Sequence, residues 1–171
     1  MQKEAMLKII NDQSQARKKK LADALCEIAS EDAIGGLYQM LSDRSEFVVL
    51  FAMERIGDLA LNDIQINVKY VVDTLLKFKD SECIKMACVR ALGYSRNQVV
   101  IKNLVDCLRD KSSGVRYYAV DALTGFAPGY KPFYGRIYRM AHAPGGRAGA
   151  YVYFHAQRLR SGSHIEKRAY H

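Results

Sequence analysis

Residues 115–124 read VRYYAVDALT, with an apolar residue first, a small residue four positions later and a leucine eight positions later. The pattern recurs in residues 84–93 (IKMACVRALG) and, with isoleucine in place of the leucine, in residues 48–57 (VVLFAMERIG). Positions separated by four lie on one face of an α-helix, so each copy predicts a helix with one buried face. The copies begin 36 and 31 positions apart, a period typical of helical repeat proteins.

These segments resemble the second helix of HEAT and HEAT-like (phycobilisome-lyase-type) repeats, which reads close to V-R-x-x-A-x-x-A-L-G. The matching positions of the third copy are Val115, Arg116, Ala119, Ala122 and Leu123. Asp110 stands in the preceding turn, where the family carries an aspartate that can pair with the arginine. Val49 and Lys85 replace that arginine in the other copies, so the resemblance implies an incomplete Asp–Arg ladder between repeats.

The same period extends in both directions. It predicts a weak copy led by Ala16, with an apolar stripe at Leu21, Leu25 and Ile28, and a degenerate copy at 147–160. First helices are predicted at 2–10, 33–41, 64–77, 99–108 and 133–142, separated by turn-rich segments. The expected fold is all-α: residues 1–171 form one domain, a right-handed α-α superhelix of about five HEAT-like hairpins. Residues 160–171 are expected to form a polar cap or a flexible tail.

Composition narrows the class of protein. The chain has no run of 18 apolar residues, and its polar start lacks the apolar stretch of a signal peptide, which predicts a cytoplasmic protein that does not span a membrane. The 4 cysteines have no C-x-x-C spacing and are expected to be buried free thiols on helices. These are Cys26, Cys83, Cys88 and Cys107.

No catalytic constellation is evident. All 4 histidines fall in the last 30 residues, without the carboxylate or thiol neighbours that would complete a metal site, so no metal or cofactor is predicted. The basic run at 17–20 is interpreted as the solvated face of the first long helix, because carboxylates flank it. Because no catalytic constellation is evident, the protein is not expected to be an enzyme.

Positive charge is concentrated at the C-terminal end. Residues 121–171 carry +6 of the formal net charge of +8, and the same end is rich in tyrosine. Arginine interleaved with tyrosine suits an acidic protein groove, a phosphate-bearing ligand or a nucleic-acid backbone. The candidate partner-binding residues are Arg136, Arg139, Arg147, Tyr151 and Arg158, with Tyr117 and Tyr118 from the third copy. Alternatively, this end is only a solubilising surface with an aromatic-rich cap and has no binding role.

The function expected from these features is a non-catalytic scaffold that recognises an acidic protein partner through its curved surface and its basic, aromatic C-terminal end. A nucleic-acid-binding HEAT-like protein is the main alternative, and a bilin-lyase-like protein is the weaker one. HEAT-like DNA glycosylases use tryptophan among their DNA contacts, and this chain contains none. The sequence predicts no oligomeric state.

Overall fold

A computed structural model of the chain describes residues 14–126, and it contains α-helices, one 3-10 turn and no strand in that range. The helices are α1 (Gln15–Ile28), α2 (Glu31–Met40), α3 (Glu46–Leu61), α4 (Val68–Lys77), α5 (Glu82–Tyr94), α6 (Ile101–Cys107) and α7 (Ser113–Gly125). The 3-10 turn, Gln98–Val100, leads directly into α6. The helices expected at 2–10, 133–142 and 147–160 lie outside the described residues.

The helices form two layers. The second helices, α1, α3, α5 and α7, each pack against the next along the chain, most extensively α3 on α5 and α5 on α7. The first helices α2, α4 and α6 pack against this layer. The repeated positions make the core, since the leading residues Val48, Ile84 and Val115 are at most 1% exposed. Stacking thus buries a continuous apolar face, which no single hairpin could bury alone.

Inter-repeat ion pairs show that lysine can serve where the family has arginine. The buried ammonium of Lys85 lies 2.8 and 2.9 Å from the carboxylate oxygens of Asp110 in the next repeat. Lys18 pairs with Asp43 across the same sequence separation of 25. The predicted gap in the ladder was therefore wrong at Lys85. It is confirmed at Val49, which is fully buried and apolar.

The arginine that matches the family has a different role from the expected one. Arg116 Nη1 donates hydrogen bonds to the main-chain carbonyls of Asp110 at 2.7 Å and Lys111 at 3.0 Å. Its guanidinium therefore braces the turn before its own helix, whereas the Asp110 carboxylate receives Lys85. The basic run at 17–20 is also corrected, because Lys18 is buried rather than solvated.

The ion pairs also correct the register of the first copy. Lys18 and Lys85 occupy equivalent places, and Lys85 follows its leading residue by one, so the first copy begins at Arg17 rather than Ala16. Leu25 then falls eight positions after the start and is 4% exposed, as the pattern requires. Ile28 was expected in the apolar stripe but is 64% exposed.

The first helices lie where the sequence predicts them, but not all of their boundaries match the prediction. The helix expected from residue 64 begins at Val68, because the side chain of Asn67 accepts a hydrogen bond from the Lys69 N–H at 3.1 Å and caps the helix there. Asn67 also ties two first helices together. Its N–H donates to the Tyr38 hydroxyl at 2.6 Å, and the Tyr38 ring stacks on Tyr70 with centroids 4.4 Å apart.

Candidate functional site: the exposed face of the second helices

A set of exposed and part-buried side chains repeats along the second helices, opposite their buried sides. They stand two, six and ten positions after each leading residue, about 200° around the helix from the core positions. The first row is Lys19, Leu50, Met86 and Tyr117; the second is Asp23, Glu54, Arg90 and Asp121; the third is Glu27, Asp58, Tyr94 and Gly125. We call these three rows the second-helix face. It is the surface that stacked hairpins leave open to a partner.

The N-terminal part of this face contains a groove between α1 and α3, with a volume of about 460 Å³. Its lining residues are Lys19, Asp23, Cys26, Glu27, Phe51, Glu54 and Arg55. The Lys19 ammonium lies 5.0 Å from the centroid of the Phe51 ring, within range of a cation–π contact. Arg55 approaches Asp23 at 3.4 Å and Asp58 at 3.1 Å. The groove thus combines an aromatic ring with more carboxylates than cations.

The C-terminal part contains a second cleft of about 320 Å³ where α3, α5 and α7 end. Arg90 lines this cleft beside two tyrosine rings. Its guanidinium carbon lies 5.9 Å from the Tyr94 ring centroid and 6.0 Å from that of Tyr118. Tyr118 in turn meets Tyr117 edge to face, with ring centroids 5.2 Å apart. Asp63, Arg96 and Asp121 also line this cleft, so two carboxylates balance the charges of its two arginines.

The structure places two of the candidate residues predicted from sequence. Tyr117 and Tyr118 are both part-buried on α7, with Tyr117 on the second-helix face and Tyr118 packed partly against the core. Arg136, Arg139, Arg147, Tyr151 and Arg158 lie outside the described residues. Sequence reasoning missed Arg90 and Tyr94, which the repeat offset would have found once the buried positions were fixed. It also missed Phe51, which lines the groove but lies outside the three rows.

The charge of the described part is almost balanced. Residues 14–126 contain 16 lysine and arginine against 15 aspartate and glutamate side chains, a formal charge of +1. Most of the positive excess therefore belongs to residues 127–171. On the second-helix face itself, carboxylates outnumber cations, so the acidic partner expected from the overall charge finds no general electrostatic support there.

The cysteines have three different environments. Cys88 and Cys107 are buried, as expected. Burial raises the pKa of the Cys88 thiol, and burial together with the Asp110 and Asp106 carboxylates raises the pKa of Cys107 to about 11. Cys26 is part-buried, and its S–H donates to the Arg55 carbonyl at 3.6 Å. Cys83 is exposed on α5, which corrects the expectation that all of them are buried.

Two other kinds of site are absent from residues 14–126. That part of the chain has no cluster of three or more histidine, cysteine, aspartate or glutamate side chains placed to hold a metal ion. None of its helices is both long and apolar enough to cross a membrane.

Comparison with known proteins gives a structural relative but no sequence family. No family model matches the chain, and no curated protein does. A solved structure of computationally designed armadillo repeat proteins for modular peptide recognition matches with a TM-score of 0.56 and 20% identity. The match covers 90% of this chain and 80% of that one. At this identity the likeness establishes the fold, an all-α, armadillo-like helical repeat solenoid; it does not assign the chain to the HEAT type.

Proposed function

We propose that this protein is a non-catalytic binding module that holds a segment of a partner protein along its second-helix face. The observation that supports this most strongly is the repetition of that face. Three rows of side chains recur at equivalent places on four stacked helices, outside the fully buried core positions, and all but Leu50, Met86 and Gly125 are polar or aromatic. The designed armadillo repeat proteins described above, made for peptide recognition, have a similar stack of helices.

The dimensions of the stack suit an extended peptide. Packed helices are about 8–10 Å apart, and an extended chain rises about 3.3 Å per residue, so each repeat would meet about three residues of the partner. The two clefts then act as successive side-chain pockets on one path. The acidic partner predicted from sequence stays a proposal that rests on residues 127–171, where Arg136, Arg139, Arg147, Tyr151 and Arg158 would contact it. The free thiols suit a reducing compartment, and we propose the cytoplasm.

Selection from a phage-displayed library of random peptides tests the function. The purified chain should enrich peptides that lose affinity for a Glu54→Lys variant, because Glu54 lies in the middle row of the second-helix face. Asp73→Lys makes the same charge change at an exposed position of the first helix α4 and should retain binding. Peptides that bind Glu54→Lys and the wild type equally would show that this face is not the binding surface.

A nucleic-acid partner is the second candidate, favoured by the basic residues 127–171. Electrostatic binding to DNA or RNA would weaken steeply with added salt, because each neutralised phosphate releases counterions. Binding to labelled single- and double-stranded DNA and RNA should then be salt-steep and should weaken in an Arg136→Gln, Arg139→Gln, Arg147→Gln variant. Absence of binding at low salt would eliminate this candidate and leave the peptide-binding proposal.

A further inference from the structure

Arg90 differs from the other part-buried arginines of residues 14–126. Of the three, Arg55 makes ion pairs with two aspartates, and Arg116 donates to two main-chain carbonyls. Arg90 contacts the rings of Tyr94 and Tyr118 but makes no hydrogen bond or ion pair with another residue of 14–126. Its guanidinium therefore lies beside two aromatic rings, and no other residue of 14–126 occupies its donors.

The two nearby rings make this guanidinium a prepared binding group. Contact with two aromatic rings restricts the side chain before any ligand arrives, so less conformational entropy is lost on binding. A guanidinium presents five N–H donors in a planar fork that matches a carboxylate in a two-point contact. Because Arg90 is part-buried, its donors gain more from such a partner than those of a fully hydrated arginine would.

The row that contains Arg90 is otherwise acidic. The equivalent residues on the neighbouring second helices are Asp23, Glu54 and Asp121. A partner that lies along this row would meet two carboxylates, then one guanidinium, then a carboxylate. Like charges placed opposite each other are costly, so a bound segment fits best in one register. Arg90 is the position at which that register is defined.

We propose that Arg90 sets the register of the bound peptide by accepting one aspartate or glutamate side chain, with basic residues on either side facing Glu54 and Asp121. This inference rests on the proposed peptide-binding function and adds the chemistry of the recognised segment. The carboxylates of Asp63 and Asp121 line the same cleft as Arg90. They favour a singly charged carboxylate over a phosphate group, which brings more negative charge. With about three peptide residues per repeat, the basic positions fall about three residues before and after the acidic one.

The same peptide library, selected on four versions of the full chain, tests this assignment. The wild type should enrich one acidic position flanked by basic ones. Arg90→Glu should lose the acidic preference and gain a basic residue at that position, whereas the flanking preferences persist. The control Arg109→Glu changes the same charge at an exposed arginine off the second-helix face and should leave the selected sequences unchanged. Arg90→Lys keeps the charge but removes the planar fork, so it should weaken the acidic preference without reversing it.

A synthetic peptide of the selected sequence gives the decisive measurement and needs no change to the protein. Replacing its acidic residue by the matching amide should lower affinity for the wild type about tenfold or more, and should have little effect on an Arg90→Gln variant. This inference alone would be overturned if the selected peptides depended on the second-helix face but had no acidic position. An equal loss of affinity in the wild type and the Arg90→Gln variant would overturn it too. Failure to select any peptide that depends on the second-helix face would overturn the proposed function as well.

Discussion

At the scale of single residues, the close approach of α5 to α7 depends on one missing side chain. A Cβ atom added to Gly93 would lie 2.6 Å from the Cβ and 3.0 Å from the Cα of Ala122 on α7. Real contacts are never that short, and because Ala122 offers no flexible side chain that could turn away, the helices would have to separate. Gly57 holds the equivalent position on α3, but its added Cβ would lie 3.8 Å from that of Ala91, an ordinary contact.

Alanine substitutions at these two glycines should therefore act in opposite directions. Gly93→Ala is expected to destabilise the fold by about 1–2 kcal/mol, because overpacking exceeds the gain in helix propensity. Gly57→Ala should stabilise it by up to about 1 kcal/mol, since the propensity gain meets no steric cost. Urea unfolding followed by circular dichroism measures both. Adding Ala122→Gly to Gly93→Ala should restore part of the loss, and a Gly93→Ala protein as stable as the wild type would contradict the close approach.

At the scale of helices and turns, the Lys–Asp pairs join one repeat to the next. Burial alone would raise the pKa of Asp110, but hydrogen bonds from the Lys85 ammonium and the Ser112 N–H outweigh it and hold this pKa below its ordinary value. The same holds for Asp43: burial alone would raise its pKa, whereas hydrogen bonds from the Lys18 ammonium and the Ser45 N–H lower it. A carboxylate with a depressed pKa in the folded state stabilises the fold at pH values above its unfolded pKa. That stabilisation is lost as the pH falls through the folded pKa.

We expect the free energy of unfolding to fall as the pH drops below about 4, the ordinary pKa of an aspartate. Lys85→Met should remove part of this dependence, because Asp110 then keeps a more ordinary pKa. It should also lower the free energy of unfolding by about 3 kcal/mol at neutral pH, since it removes the cation from a largely buried ion pair. Urea unfolding at roughly evenly spaced pH values between about 2.5 and 7 measures both effects.

The matched control is Lys111→Met. Lys111 pairs with Asp80 at 3.2 Å, but both side chains are largely exposed, so its loss should change stability by about 0.5 kcal/mol or less. If Lys85→Met and Lys111→Met had equal effects, the buried pair would have no special part in joining the repeats.

At the scale of the whole molecule, the sequence predicted the repeat architecture because burial follows a simple period. Val48, Ile84 and Val115 recur at equivalent helix positions, and all three are core residues. The weak first copy was placed one residue out of register, since its start carries arginine and lysine in place of apolar residues, and only the Lys18–Asp43 pair identifies its alignment. Helix boundaries at side-chain caps such as Asn67 also escaped the periodic pattern.

The candidate site was less visible in the sequence than the fold. Overall charge directed attention to the C-terminal end, but a net charge does not say which surface carries it, and the described second-helix face is not basic. Arg90 appears in the sequence as one more polar residue of a repeat. Its distinction comes from the Tyr118 ring on the next helix, a contact between residues 28 positions apart that no local pattern reports.

The offset between the core positions and the rows of the second-helix face has a consequence for how such a protein can change over time. Because most row residues lie outside the buried core, most substitutions in the rows should alter the proposed recognition while stability is largely kept; Leu50, Met86 and Tyr94 pack against the core and are the exceptions. Duplication of one hairpin would lengthen the recognised segment by about three residues without a new core having to be invented. The chain is thus built so that new specificities can arise by small, separate steps.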